Sequence, residues 1–354
     1  MQDQVQSTLC YAASTPSPMD LFPLTRALID VDSTTGRERA VADFLFSHLS
    51  AIAERTGGRV ERMPVTGDRY NLFAAWGEPA VVLSTHMDTV PPFVPSSEDE
   101  EHVWGRGACD TKGGIAAMVK AIEALLAAGK AGFGLLLVVG EETDSAGAIA
   151  ANGEPRGSRY LINGEPTENR LALGSKGALY LEVVAEGRMA HSAYPELGDS
   201  AIDKLLAALT RLRQVPLPSD PVLGETTINV GTLSGGRAPN VVADRARAEV
   251  MIRTVGDTEE LKQRLFAAIE EAGAKVALWR EVPAVHLGAI PGFETTIVKY
   301  TTDVPRLTRW GEPFLLGPGT IHVAHTPEER VPKRQLVEAV GLYRDLVLRL
   351  LAKD

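Results

Sequence analysis

Residues 80–85 read AVVLST and residues 134–140 read GLLLVVG. Both are short, unbroken apolar runs, the pattern of strands buried on two faces. Between them, residues 111–130 place Ile115, Met118, Val119, Ile122, Leu125 and Leu126 at helical spacing, with Gly129 where a C-cap is expected. Residues 159–163 (RYLIN) give a third strand, and residues 24–49 read as helix around a turn at 32–36. Strand, helix and strand in alternation predict an α/β fold: a mainly parallel sheet with helices on both faces.

The pattern changes after about residue 175. Residues 178–184, 226–233 and 241–254 alternate apolar with polar, like half-exposed antiparallel strands. Residues 275–287 give a last strand, and 200–212 and 257–271 read as helices. One sheet under two helices predicts a compact α+β domain, 177–287, inserted into a larger domain made of 20–176 and 288–354. Beyond Gly288 come another apolar strand, the loop Gly317-Pro318-Gly319 and a closing helix over 333–351. Residues 1–19, rich in Ser, Thr and Pro, read as a loose leader without the basic and apolar segments of a secretory signal.

Composition narrows the function. A chain of 354 residues suggests two domains. Lys+Arg 36 against Asp+Glu 46, net −10, argues against nucleic acid and anionic membrane as partners. Two cysteines, Cys10 and Cys109, exclude a disulfide framework and a Cys-rich zinc module, and fit a reducing, cytoplasmic location. No apolar run reaches the ~18 residues of a membrane span. There is no HExxH helix, Walker A loop or GxSxG elbow. Residues 105–110 (GRGACD) start like a dinucleotide fingerprint but carry Asp where its last Gly belongs.

Polar residues gather just after the predicted strands: His86-Met87-Asp88, Glu141-Glu142 and Glu165, joined by Asp110 before the long helix and His325 after the Gly/Pro loop. In open α/β sheets ligands bind beyond the carboxyl ends of the strands, so these segments can converge on one cleft. Imidazole nitrogen and carboxylate oxygen suit zinc. Two metal ions ~3.5–4 Å apart need a bridging carboxylate, a role for Asp110. Two divalent ions and one hydroxide would neutralise Asp110, Glu142 and Glu165, which makes burial of the site feasible. Within Glu141-Glu142, one carboxylate can bind metal while the other serves as general base. Asp88, two residues beyond His86, can orient its imidazole.

These segments also resemble a known family. Residues 84–91 (STHMDTVP), 105–114 (GRGACDTKGG), Glu141-Glu142, 164–167 (GEPT) and 324–326 (AHT) are similar, in this order, to the motifs of the zinc-dependent deacylases and exopeptidases. That family includes acetylornithine deacetylase, succinyl-diaminopimelate desuccinylase, aminoacylase, bacterial glutamate carboxypeptidase and the carrier-linked lysine/ornithine hydrolases. The resemblance implies the di-zinc exopeptidase fold with a lid/dimerisation domain. It implies His86 and Glu165 on one zinc, Glu142 and His325 on the other, Asp110 bridging and Glu141 as base. Residues 188–195 (RMAHSAYP) match a motif whose histidine, here His191, reaches the partner subunit's active site and steadies the oxyanion. Asn240 and Arg253 match positions that hold the substrate carboxylate, and Gly319 matches a substrate-contacting glycine. Two positions depart from the pattern: Ala243 stands where the family often has Pro, and Glu328 where it often has Asn.

The expected function is therefore hydrolysis of an amide in an N-acylated amino acid or short peptide by a cytoplasmic homodimer with two Zn²⁺ per chain, replaceable by Co²⁺ or Mn²⁺. Within the family the alternatives are a metallo-carboxypeptidase or dipeptidase, and a carrier-linked lysine/ornithine hydrolase. Residues 177–287 hold 12 basic and 15 acidic residues, so the lid offers no general attraction to an acidic carrier. Outside the family stand a non-catalytic binding protein and a metal-independent serine or cysteine hydrolase.

Overall fold

A computed structural model describes residues 19–353. The expected leader, 1–19, thus lies outside the described residues except for Met19, as does Cys10. Helices α1 (Leu21–Ile29) and α2 (Arg39–Thr56) open the described chain. A hairpin follows, β1 (Arg59–Thr66) and β2 (Arg69–Trp76). Then come β3 (Val81–His86), α3 (Gly113–Ala127), β4 (Phe133–Val138), α4 (Ala146–Gly153) and β5 (Tyr160–Asn163). The chain next builds a second sheet from β6 (Gly177–Glu186), α5 (Ala201–Gln214), β7 (Thr227–Gly235), β8 (Arg245–Thr254), α6 (Glu259–Glu270) and β9 (Ala274–Val282). It returns to the first sheet with β10 (Glu312–Leu315) and ends in α7 (Lys333–Leu351).

The first sheet has the order β1-β2-β4-β3-β5-β10. β4, β3, β5 and β10 are parallel, and the hairpin adds two antiparallel strands at one edge. Leu83, Leu135, Leu137 and Ile162 pack on one face against Leu45 of α2, Ile115, Met118 and Ile122 of α3, and Leu346 of α7. Val82, Leu136, Val138 and Leu161 pack on the other against Ala148 and Ala151 of α4 and against Trp310. Both faces are dry, so the sequence of these strands shows no alternation. Each such leucine contributes about 1.5–3 kcal/mol by its burial.

The second sheet, β7-β8-β6-β9, is antiparallel throughout. Burial alternates along β6 and β8. Leu179, Leu181, Val183, Val250 and Ile252 pack on Leu205 and Leu212 of α5 and on Leu261, Leu265 and Ile269 of α6. Ser200 caps α5 by accepting the Asp203 N–H. Tyr180, Met251, Arg253 and Arg280 stand on the opposite face, which turns toward the first sheet.

Three local expectations differ from the structure. The β1–β2 hairpin has no counterpart in the sequence reading, because β1 is mostly exposed and carries Pro64 mid-strand. The strand expected over 275–287 stops at Val282, where Pro283 lacks the N–H a ladder needs. Val285–His286 pairs instead with Leu171–Ser175. The long helix begins at Gly113 rather than residue 111, since residues 108–112 form a separate kinked turn.

Candidate metal centre

Parallel strands bring their carboxyl ends to one side, and the chemistry sits there. His86 is the last residue of β3. Its Nδ1 donates to the Asp88 carbonyl oxygen at 3.0 Å, which leaves Nε2 as the free ligand nitrogen, 3.1 Å from Asp110 Oδ1. Asp110 lies in the turn before α3, and its second oxygen, Oδ2, is 3.3 Å from His325 Nε2. The same His325 nitrogen is 3.1 Å from Glu142 Oε1. Glu165 follows β5, buried, with Oε1 lacking a hydrogen-bond partner among the described residues.

Two ligand groups result: His86, Asp110 and Glu165, and Asp110, Glu142 and His325, each with its ligand atoms within 4.8 Å of one another. Asp110 belongs to both. The donor chemistry, two imidazoles and three carboxylates, fits a pair of divalent cations. Electrostatics agree. Burial pushes the Glu141 and Glu165 carboxyls well above the usual range. Burial opposes charge on His86, yet its contacts with Asp110 and Asp88 outweigh this and raise it. Asp110 and Glu142 raise His325 to about 10. A cation placed among these carboxylates relieves the cost of burying their charge. The first group is wholly buried; the second opens to the cleft through His325, whose side chain is 48% exposed. His322, three residues before His325, belongs to neither group.

Asp88 does more than its spacing suggests. Its main-chain oxygen takes the His86 Nδ1–H, and its carboxylate Oδ1 also lies 3.5 Å from that nitrogen. The same carboxylate accepts the N–H groups of Gly140, Glu141 and Glu142 at 3.0–3.2 Å, and the Thr35 hydroxyl at 2.8 Å. Gly140, with φ +82, turns the chain so that these N–H groups converge. Asp88 thereby holds the loop that presents both glutamates. Glu142 points to His325; Glu141 belongs to neither ligand group but lines the same cleft.

Two residues absent from the sequence reading are buried here, and the first supports this arrangement. Glu329 is buried and accepts from Arg106 Nη1 at 2.5 Å, Gly107 N at 2.9 Å and Asp110 N at 3.3 Å. It fixes the Asp110 turn from a position 223 residues away from Arg106. The only local hint is an arginine between two turn glycines, which needs a partner if buried. Asp303 is also buried, and burial pushes its carboxyl up to about 6.

A cleft of about 1050 Å³ opens from the ligands toward the second sheet. Asp110, Glu141, Glu142, Glu165 and His325 line one wall; Tyr180, Met251, Arg253, Leu278 and Arg280 line the other. Arg253 is half-buried with no carboxylate beside it among the described residues, and burial lowers its pKa. His191 and Asn240 are not among the lining residues. They sit on two adjoining exposed loops, 187–200 and 236–244, where His191 bridges to Val241 and the Ser192 N–H donates to the Asn240 carbonyl at 3.0 Å. Gly319 does not line the cleft either. Its φ is +89, and a Cβ there would stand 2.4 Å from the Cys109 Cβ, so it serves a close backbone approach behind the Asp110 turn. Cys109 itself is buried, and burial pushes its thiol up.

The sequence matches the model of peptidase family M20/M25/M40 over residues 82–349. A peptidase M20 domain-containing protein of Schizosaccharomyces pombe is 37% identical, with 98% of this chain and 88% of that protein covered. A probable carboxypeptidase of Aspergillus clavatus is 39% identical, covering 92% of this chain and 82% of that protein. Among solved structures, the aminopeptidase PepT of Bacillus cereus superposes with a TM-score of 0.74 at 20% identity, over 94% of this chain and 98% of that one. A Bacillus subtilis protein described as a dinuclear metal-binding peptidase of the M20 family gives 0.67 at 15% identity, over 94% and 98%. The chain belongs to peptidase family M20/M25/M40 and is a metal-dependent hydrolase of linear amides. Among the described residues no helix is long and apolar enough to cross a membrane.

Proposed function

Proceeding from that membership, we propose that the protein is a cytoplasmic, homodimeric di-zinc hydrolase. It cleaves an amide whose amine-side residue carries a free α-carboxylate, as in an N-acyl amino acid or at the C-terminus of a short peptide. The observation that carries this reading is Arg253. It is a half-buried guanidinium that faces the ligand cluster across the cleft, with no acidic partner among the described residues. The substrate carboxylate is its natural partner. The naming of an Aspergillus relative as a probable carboxypeptidase favours the peptide form of this substrate over an acetylated or succinylated amino acid.

His86 and Glu165 would hold one ion, Glu142 and His325 the other, with Asp110 between them. When bound, such ions polarise the scissile carbonyl and lower the pKa of water at the site. Glu141, free of the histidines, takes a proton from the attacking water on a carboxylate oxygen and returns it to the leaving nitrogen. Asp88 keeps Glu141 in place through the loop N–H groups. His191 donates to the carbonyl oxygen as it gains charge. Its Nδ1 already accepts the Ala193 N–H at 3.1 Å, so Nε2–H is the donor that remains. Because His191 lies outside this chain's own cleft, it acts on a partner subunit's substrate, and Asn240, on the loop paired with it, goes with it.

The test is an activity screen of zinc-loaded protein over dipeptides and N-acyl amino acids, each paired with its C-terminal amide. Cleavage confined to the free carboxylates is expected, with loss of that preference in Arg253→Met. Equal cleavage of the amides would overturn the reading.

A further inference from the structure

The lid-side wall of the cleft holds more positive charge than one substrate carboxylate can use. Strand pairing orders that wall in rows. Arg253 of β8 stands opposite Ala178 of β6, and Ala178 opposite Val282 of β9. The next row is Met251, Tyr180 and Arg280. All six line the cleft. With strands about 4.8 Å apart and a rise of about 3.3 Å per residue, the Arg253 and Arg280 Cα atoms are roughly 12 Å apart. Long side chains at that spacing can hold two anionic groups from one small molecule.

Among the described residues Arg280 has no hydrogen-bond or ion-pair partner, and neither has Arg253. The acids of the cleft are engaged elsewhere. Asp110, Glu142 and Glu165 belong to the ligand groups, and Glu141 is the proposed base. Asp144 accepts the Ala146 N–H at 3.1 Å. Glu281 receives Lys262 Nζ at 2.9 Å and the Thr258 hydroxyl. The third arginine of the cleft, Arg306, already donates to the Glu281 carbonyl at 3.0 Å. Tyr180, in the middle of the second row, spends its hydroxyl on Glu249 at 3.0 Å and offers the cleft a flat ring. Half-buried Arg253 and exposed Arg280 thus both face the cleft without an acidic partner among the described residues.

We propose that Arg280 is a second anion-recognition residue of this cleft, so that preferred substrates carry two carboxylates: the α-carboxylate at Arg253 and an acidic side chain or acidic acyl group at Arg280. This rests on the proposed amide-hydrolase reading of the same site. Arg280 binds the substrate's second charge and takes no part in bond cleavage.

The test compares matched substrates that differ only in that charge: a dipeptide containing Glu against its Gln counterpart, and an N-succinyl against an N-butyryl amino acid. In the wild-type protein the acidic member should have the higher kcat/KM by about tenfold or more, a typical gain for a charge-assisted contact. Arg280→Met should bring that ratio toward one by raising KM for the acidic member, and Arg280→Lys should restore part of it. No preference in the wild type, or an equal loss on both members in Arg280→Met, overturns the proposal. Calorimetric binding of glutarate against butyrate to the zinc-loaded protein separates the two readings. If no amide is cleaved but glutarate binds more tightly than butyrate only when Arg280 is present, the anion site stands and the reaction falls. If glutarate gains nothing over butyrate, the anion site falls whatever the reaction.

Discussion

The two walls of the cleft are built on opposite terms. On the sheet side three of the chemical segments are held by the protein: His86 through the Asp88 carbonyl, the Glu141–Glu142 loop through the Asp88 carboxylate, the Asp110 turn through Glu329. On the lid side Arg253 and Arg280 stand without partners among the described residues, on a sheet whose own core lies on its far face. Groups that bind metal and move protons gain from fixed geometry. Groups that recognise substrate gain from unmet charge, which the ligand then satisfies. Variants on the two walls should therefore fail in different ways.

The largest effect is expected at Glu141. Glu141→Gln removes a proton carrier but no ligand, so kcat should fall by about 10²–10⁴ while metal content stays near normal. Metal loss in Glu141→Gln with retention in Glu142→Gln would reverse their roles. Next comes His191, on neither wall of its own chain. Its loss should cost about 10²–10³ in kcat, the scale of an oxyanion donor. Mixing His191→Ala chains with Glu141→Ala chains should restore activity towards half of wild type per mixed dimer, since one of the two sites regains both groups. Verified subunit exchange without recovery would place His191 in its own chain's site or in none. The smallest effects belong to the supports. Asp88→Ala and Glu329→Gln should weaken metal binding by about 10–100-fold, measured by zinc competition with a chelator. If these variants change KM alone, the sheet-side wall is not organised as described.

The parts of this design that were readable in the sequence are the local ones. β3 and β4 announce themselves because burial on both faces leaves no polar position. The ligands follow strands that run in parallel, so their convergence comes from topology. The unreadable parts depend on contacts between distant segments. Glu329 matters only because the fold brings it to Arg106 and Asp110. Gly319 is glycine because Cys109 comes within van der Waals range of it, a fact that no local pattern records. Arg280 in sequence is one charge on a half-exposed strand; only the register with Tyr180 and Ala178 puts it in the cleft beside Arg253. The β1–β2 hairpin went unread because its outer strand is largely wet and interrupted by Pro64.

The central claim is a two-ion centre bridged by Asp110, with a buried half and an open half. Native mass spectrometry of chelator-stripped protein titrated with zinc addresses it directly. The account predicts about two ions per chain, taken up in two steps, with the second step lost in His325→Ala and both weakened in Asp110→Ala. A plateau at one ion per chain or none, in protein that is folded, would contradict it.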